Sequence, residues 1–363
     1  AAALADVAAR HEPLRTRFPG GRPEPAEPVL EHVRVADLDA AIRDLAREPA
    51  DLEARPPLRA RLLTGPGGAQ AFLLTVHPIG VDDWSAVPLS RDFAAAYAAR
   101  RNGRGPEWRP LPVSYTDYAL WAHRVAEETG ERQLEYWREA LRGLPARIPL
   151  PYDRPPSPGH RGVGEHLEFR IDAGLHRAID ALAARTGTSM FMVLQAALAT
   201  LLTRNGAGAE IPIAARVAGR ADDRLADLAR CFSGTVLLLT STAGEPGADE
   251  LLRRVRETDL AAFDRQDVPF DRVVSALGLP APQVMLVHHE QAGLAEIPGL
   301  GAAFDLVPTG ALPAELTVGF YEPRGQGPVD CVLVYDAELF DRATAGRLAG
   351  ELLDILSTLR RNA

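Results

Sequence analysis

The nine residues His77–Ser85 read HPIGVDDWS and place a histidine, two aspartates and a serine at the end of the apolar run AQAFLLTVH. Imidazole, carboxylate and hydroxyl groups are the usual parts of general acid–base and nucleophilic catalysis, provided they converge on one reacting atom. A proline directly follows the histidine. Pro78 has no ionisable side chain and no backbone N–H, so it can be neither a base nor a hydrogen-bond donor. Successive residues at a strand end point to opposite faces, so His77 cannot serve the direction that position 78 serves. His77 is therefore read as a hydrogen-bonded structural residue.

Other groups have non-catalytic readings. His288, His289 and Glu290 are consecutive, but adjacent strand residues face opposite ways and cannot grip one ion. Cys231 and Cys331 lie in apolar runs, where a buried free thiol is expected, and they have no disulfide or metal-ligand spacing. No metal site is read from the sequence. Met190 and Met192 fall in an apolar helix and are assigned to the core, and Trp84 is expected to pack under its motif. Arg100, Arg101, Arg104 and Arg109 form a basic run, read as a solvated surface and as the candidate protein-partner surface.

Composition excludes several classes. All 40 basic residues are arginine, so a Schiff-base lysine, a P-loop lysine and a kinase-type lysine are ruled out together. A formal net charge of −9 argues against nucleic acid as a partner. No run reaches the roughly 18 apolar residues of a membrane helix, and the first residues lack a signal-peptide pattern, so a cytoplasmic location is expected.

At 363 residues two domains are expected. In the first, AAALADVAARHE is read as a helix, LRTRF and PVLEHVRV as strands, and LDAAIRDLARE as a helix. RARLLTG and AQAFLLTVH form a hairpin across Gly65–Gly68, and the second arm delivers HPIGVDDWS. SAVPLSRDFAAAYAAR and SYTDYALWAHRVAEET are helices. The Pro- and Gly-rich stretch from Leu144 to Gly164 marks a boundary, giving domains 1–150 and 151–363. The second block reads as strand GEHLEFRI, helices AGLHRAIDALAART and SMFMVLQAALATLLTR, and strands EIPIAARVAG and GTVLLLT. Then come helix ADELLRRVRETDLAAFDRQ, strands QVMLVHH, AELTVGFYE and VDCVLVYD, and helix RATAGRLAGELLDILSTLRR. Two mixed blocks of comparable size predict an α/β (α+β) protein built as a pseudo-symmetric pair.

Several segments together resemble the condensation-domain superfamily of nonribosomal peptide synthetases. RHEPLRTRF (Arg10 to Phe18) resembles that family's second motif. HPIGVDDWS stands at its active-site motif, HHxxxDG. YTDYALW (Tyr115 to Trp121), CFSGTVLL (Cys231 to Leu238) and RQDVPFD (Arg265 to Asp271) resemble the fourth, fifth and sixth. The first motif has no counterpart here, the place of the seventh holds only GLPAPQ, and Gly234 replaces the usual Asn of the fifth. The resemblance implies two chloramphenicol-acetyltransferase-like subdomains in a V-shaped pseudo-dimer. In that family carrier-tethered thioesters meet in a tunnel, and the second histidine assists attack of an amine.

Aligning Asp82 with the family aspartate puts His77 at the first histidine and Pro78 at the second, so the base is missing. The resemblance further implies that Asp82 is architectural and pairs with an arginine across the subdomains, Arg220 first and Arg15 second. Asp83 replaces the family glycine, adding charge and predicting strain if the backbone there needs a positive φ.

A motif degraded toward HxxxxDD is similar to that of the X domain of glycopeptide-antibiotic synthetases. This likeness implies a non-catalytic platform that recruits cytochrome P-450 monooxygenases to a peptide on the adjacent peptidyl carrier domain, for side-chain cross-linking. It implies no cofactor in this domain: haem would belong to the partner and phosphopantetheine to the carrier. The enzyme alternative is a divergent condensation domain forming amide or ester bonds with water, Asp82 or a substrate group as base. Epimerisation is disfavoured, because that subgroup also uses the second histidine.

Overall fold

The computed structural model describes all residues except 158, 159, 161, 221, 292, 298, 300, 301, 304–306, 308 and 360–363; of 290, 291, 302 and 303 it describes the backbone alone. The chain divides into two compact units, the first comprising Ala1–Trp121, Ala218–Ser233 and Gly293–Thr309, the second Ala122–Val217, Gly234–Ala292 and Gly310–Ala363. The linker-based division at 150–151 gave each half one continuous stretch. Contacts instead assign two later segments to the first unit, a grouping set by long-range packing that linker composition does not report.

The first unit contains helix α1 (Ala2–Arg10), strand β1 (Leu30–Arg34), helix α2 (Leu38–Ala46), strands β2 (Leu58–Thr64) and β3 (Gln70–Val76), and helix α3 (Ala86–Arg101). The predicted hairpin forms: β2 and β3 pair antiparallel from Leu58↔Val76 to Thr64↔Gln70. Their connection uses Gly67 and Gly68 at φ 69° and 81°, conformations that suit glycine. β1 adds in parallel to β2. Leu4, Val7, Leu14, Leu58, Phe93 and Ala96 form the core, with Phe72 and Phe93 stacked at 5.1 Å between ring centroids.

One expected strand is corrected. LRTRF is a 3-10 turn over Glu12–Arg15, followed by only two extended residues, Thr16–Arg17. Pro13 fixes a helical φ near the start of the turn, and Leu14 is buried completely.

Helix α4 (Tyr115–Ala140) begins in the first unit and continues into the second. It runs about three further turns beyond the expected end near Thr129. Gly130 does not stop it, because Gly130 is buried against the Arg272 guanidinium, which donates to the Ala126 carbonyl at 3.3 Å, and Leu134 and Trp137 bury the next turns.

The second unit holds strand β4 (Gly164–Ile171), helices α5 (Ala173–Thr186) and α6 (Met190–Arg204), and strands β5 (Glu210–Val217) and β6 (Gly234–Ser241). Helices α7 (Ala248–Phe263) and α8 (Phe270–Leu277), strands β7 (Val284–Gln291), β8 (Leu316–Pro323) and β9 (Val329–Asp336), and helix α9 (Arg342–Leu359) complete it. The end of the last predicted helix, 360–361, lies outside the described residues. The six strands form one sheet in the order β4-β9-β8-β7-β5-β6. β7 runs parallel to both β8 and β5, and the remaining pairs are antiparallel.

Helix α6 buries 11 of its 15 residues, Met190 and Met192 among them, so it is a core helix rather than an amphipathic one. Ser189 caps it and Asp172 caps α5, each accepting from helix backbone N–H groups. Helix α8 was not read from the sequence, although Pro269 immediately before it and Gly278 at φ 63° immediately after are boundary signals. Among the described residues no single helix is long and apolar enough to cross a membrane.

Candidate functional site

Strand β3 ends at Val76, and the backbone turns at once: His77 N–H donates to the Pro57 carbonyl at 3.1 Å and Gly80 N–H to the His77 carbonyl at 2.9 Å. The His77 ring folds back on this turn, with Nδ1 accepting from Ile79 N–H at 3.1 Å. That bond uses the lone pair on Nδ1, so the imidazole braces its own turn. Pro78 is exposed.

Asp82 then caps a 3-10 turn over Asp83–Ser85 that leads into α3; its N–H donates to Ser85 Oγ at 3.1 Å. The Asp82 carboxylate is fully buried. Oδ1 accepts from Ser85 Oγ at 2.8 Å, while Oδ2 accepts from Arg220 Nη1 at 2.5 Å, Phe232 N–H at 2.9 Å and Ser233 N–H at 3.1 Å. Four donors, the Arg220 guanidinium one of them, engage both oxygens of the carboxylate. Among the described residues, Arg220 and not Arg15 carries this pair, and Arg220 belongs to the same compact unit as Asp82.

Arg220 is itself held on several sides. Its Nη2 reaches the Leu228 and Arg230 carbonyls at 3.1 and 3.2 Å, and its guanidinium lies over the Phe232 ring at 4.5 Å. Ser85 Oγ also accepts from Arg230 N–H at 2.9 Å and is completely buried, so the hydroxyl is a structural node with no access for a substrate carbonyl. Asp83 is exposed and opens the 3-10 turn. Among the described residues Glu245 is the one non-glycine residue at positive φ, so the strain expected at Asp83 is absent: its turn uses a helical backbone that any residue adopts. Trp84 sits in the same turn, half-buried.

A second buried cluster adjoins, which the sequence reading missed. His11 Nδ1 accepts from Ala229 N–H at 3.3 Å, and its Nε2 faces Asp92 Oδ2 at 2.9 Å. Arg10 Nε donates to the same oxygen at 2.7 Å. Burial pushes the Asp92 carboxyl up, but the hydrogen bonds from His11 and Arg10 outweigh it and hold the group below its ordinary value. The signal was present in RHEP, though nothing local links it to Asp92. A cavity of about 210 Å³ opens beside this cluster, lined by Arg10, His11, Glu12, Tyr115 and Arg230 among others.

Four of the five expected motifs thus converge in the first unit, CFSGTVLL through its residues Cys231–Ser233. Tyr118 packs edge-on against Phe232 at 4.6 Å, joining YTDYALW to CFSG, and Phe232 N–H ties both to Asp82. RQDVPFD lies in the second unit, where Gln133 Nε2 donates to Asp267 Oδ2 at 2.8 Å and Trp137 Nε1 to the Arg265 carbonyl at 3.1 Å.

Arg100, Arg101, Arg104 and Arg109 are all exposed. Arg100 is engaged by Asp6, with both nitrogen–oxygen distances 2.6 Å, and the Arg109 carbonyl accepts from Arg10 at 2.8 Å. His288 pairs with Glu322 at 2.9 Å while His289 stacks on Tyr321, so the consecutive histidines separate; the side chain of Glu290 lies outside the description. Cys231 is only half-buried, contrary to the expected burial, because it lies in the loop before β6. Cys331, inside β9, is buried and its thiol is pushed up to about 12 by burial.

A family model described as Condensation domain matches residues 1–363. The chain is 40% identical to a probable non-canonical nonribosomal peptide synthetase, CymA, of Salinispora arenicola, over 99% of this chain but 5% of that protein. The chain thus spans a small part of the relative it matches. Its structure is similar to the X domain from teicoplanin biosynthesis, with TM-score 0.87 and 32% identity over 99% of this chain and 86% of that one. It is similar also to that X domain solved in complex with OxyB, with TM-score 0.86 and 32% identity over 99% and 84% of the two chains. These neighbours carry the chloramphenicol-acetyltransferase-like condensation fold, which the mixed α/β architecture shares. The chain belongs to the condensation-domain family of nonribosomal peptide synthetases and is similar to its X domains.

Proposed function

We propose that this domain is a non-catalytic platform that recruits cytochrome P-450 oxygenases to a peptide held on a neighbouring carrier domain. The observation that carries the reading is the state of HPIGVDDWS. Pro78 stands where a base is needed, His77 Nδ1 is committed to Ile79 N–H, and the buried Asp82 carboxylate is occupied by four donors. The enzyme alternative needs Asp82, water or a substrate group to take a proton. An enclosed carboxylate paired with arginine has no path to substrate.

A platform needs a docking surface rather than a tunnel, because holding substrate and enzyme together raises their effective concentration. The complex solved between the teicoplanin X domain and OxyB supports a protein partner of this kind. Size-exclusion chromatography of the purified chain with P-450 enzymes from its own biosynthetic cluster is expected to give a co-eluting complex. Failure to bind any of them, together with amide formation between two loaded carrier proteins, would establish the condensation reading instead.

A further inference from the structure

We propose that the second unit carries a binding site for a zinc-class divalent cation, formed by His176 and Asp180 of α5 and Glu322 at the end of β8. His176 is almost completely buried, and its Nδ1 lies 2.7 Å from the Gly327 carbonyl. A carbonyl only accepts, so Nδ1 carries the proton and a neutral ring presents its lone pair from Nε2. That Nε2 is buried without a hydrogen-bond partner, and it faces Asp180 Oδ2 at 3.6 Å and Glu322 Oε1 at 3.5 Å. A lone pair aimed at two carboxylate oxygens is a repulsive arrangement unless a positive charge lies between them.

The distances discriminate between a proton and a metal ion. A proton on Nε2 would draw a carboxylate to hydrogen-bond range, as at His160 and Asp336, which lie 2.5 Å apart. Two ligand atoms each ~2.0–2.1 Å from a tetrahedral zinc lie about 3.3 Å from each other, close to what is seen here. The ligand atoms of His176, Asp180 and Glu322 all lie within 4.8 Å of one another.

The outer contacts fit as well. His288 Nε2 meets the other Glu322 oxygen at 2.9 Å and orients that carboxylate from behind, while Gln326 Nε2 donates at 3.0 Å to Asp180 Oδ2, the oxygen that faces His176. The Asp180 and Glu322 side chains are 34% and 24% exposed, which leaves an entry path and room for a water as fourth ligand. An ion here joins the start of α5 to the β8–β9 turn and is assigned a structural role.

Equilibrium dialysis of the purified chain against zinc chloride, with metal content measured by mass spectrometry, tests the site. One ion per chain is expected, with affinity at least tenfold weaker in Asp180→Asn and in Glu322→Gln. Both variants alter partly exposed groups and leave the buried His176 in place, and circular dichroism checks their folding. Cobalt is expected to give visible d–d bands in the native chain and not in the variants, and zinc to raise the melting temperature of the native chain alone. No bound ion, or binding unchanged in both variants, overturns the proposal.

Discussion

A carboxylate removed from water and held by four donors, one of them a guanidinium, is sensitive to any change in its charge. Asp82→Asn keeps the size of the side chain but leaves the buried Arg220 charge without its partner, so a loss of about 3–5 kcal/mol is expected in urea unfolding. A change under about 1 kcal/mol would show that Arg220 finds another partner. The pair was legible because a buried aspartate needs a cation and the family resemblance pointed to VAGR; the two N–H donors from Phe232 and Ser233 were not, since loop conformation decides them. Asp259 illustrates the opposite limit. It is completely buried on α7, with Gln195 Nε2 at 2.9 Å from Oδ1 and no partner on Oδ2. Burial pushes its carboxyl up to about 7, and the Gln195 hydrogen bond only partly opposes this. The folded state therefore holds more protons than the unfolded chain between about pH 4 and 7, and stability falls as pH rises through that window. The loss is of order 4 kcal/mol, and Asp259→Asn is expected to flatten it in denaturant titrations at stepped pH. An unchanged slope in the variant would assign the effect to another group.

The segment 218–233 depends on one close backbone approach. Gly219 has φ 62°, and a Cβ at that position would overlap the Phe232 carbonyl. Gly219→Ala therefore combines left-handed strain with a collision against backbone that cannot swing away, and a cost of roughly 1–3 kcal/mol from strain alone is expected by thermal unfolding. The collision also displaces the Phe232 N–H from Asp82, so Gly219→Ala and Asp82→Asn are expected to be less than additive; full additivity would separate the two features. Elements whose pattern is complete within a few residues were read correctly from sequence: the β2–β3 hairpin from its glycine turn, and α5 from the run AGLHRAIDALAART, which the structure caps with Asp172 and Gly187. Helix α8 was passed over, since eight residues give periodicity little room and its motif was read only as a resemblance. The strand expected in LRTRF failed because Pro13 and the buried Leu14 decide that backbone. His176, Asp180 and Glu322 could not be joined from sequence, because only the neighbouring packing of α5 and β8 brings them together.

At the scale of the whole chain, catalysis and recruitment make different demands, and substitutions can separate them. Pro78→His restores an imidazole at an exposed position and removes no hydrogen bond, since proline donates none. Little or no amide formation between loaded carriers is expected, because Asp83 still adds a charge beside it and Asp82 remains enclosed by its donors. Recruitment, being a surface property, is expected to be unaffected by the same change. The basic run is the place to look for that surface. Arg100 already serves Asp6, so reversing it would disturb α1, whereas Arg104→Glu and Arg109→Glu alter exposed side chains only. If those arginines meet an acidic face of the oxygenase, the double reversal slows association and weakens binding by about tenfold, and the native complex weakens as salt rises. Surface plasmon resonance at two ionic strengths measures both effects. Unchanged association in the double variant moves the docking surface elsewhere on the chain, while leaving the platform reading to stand or fall on complex formation itself.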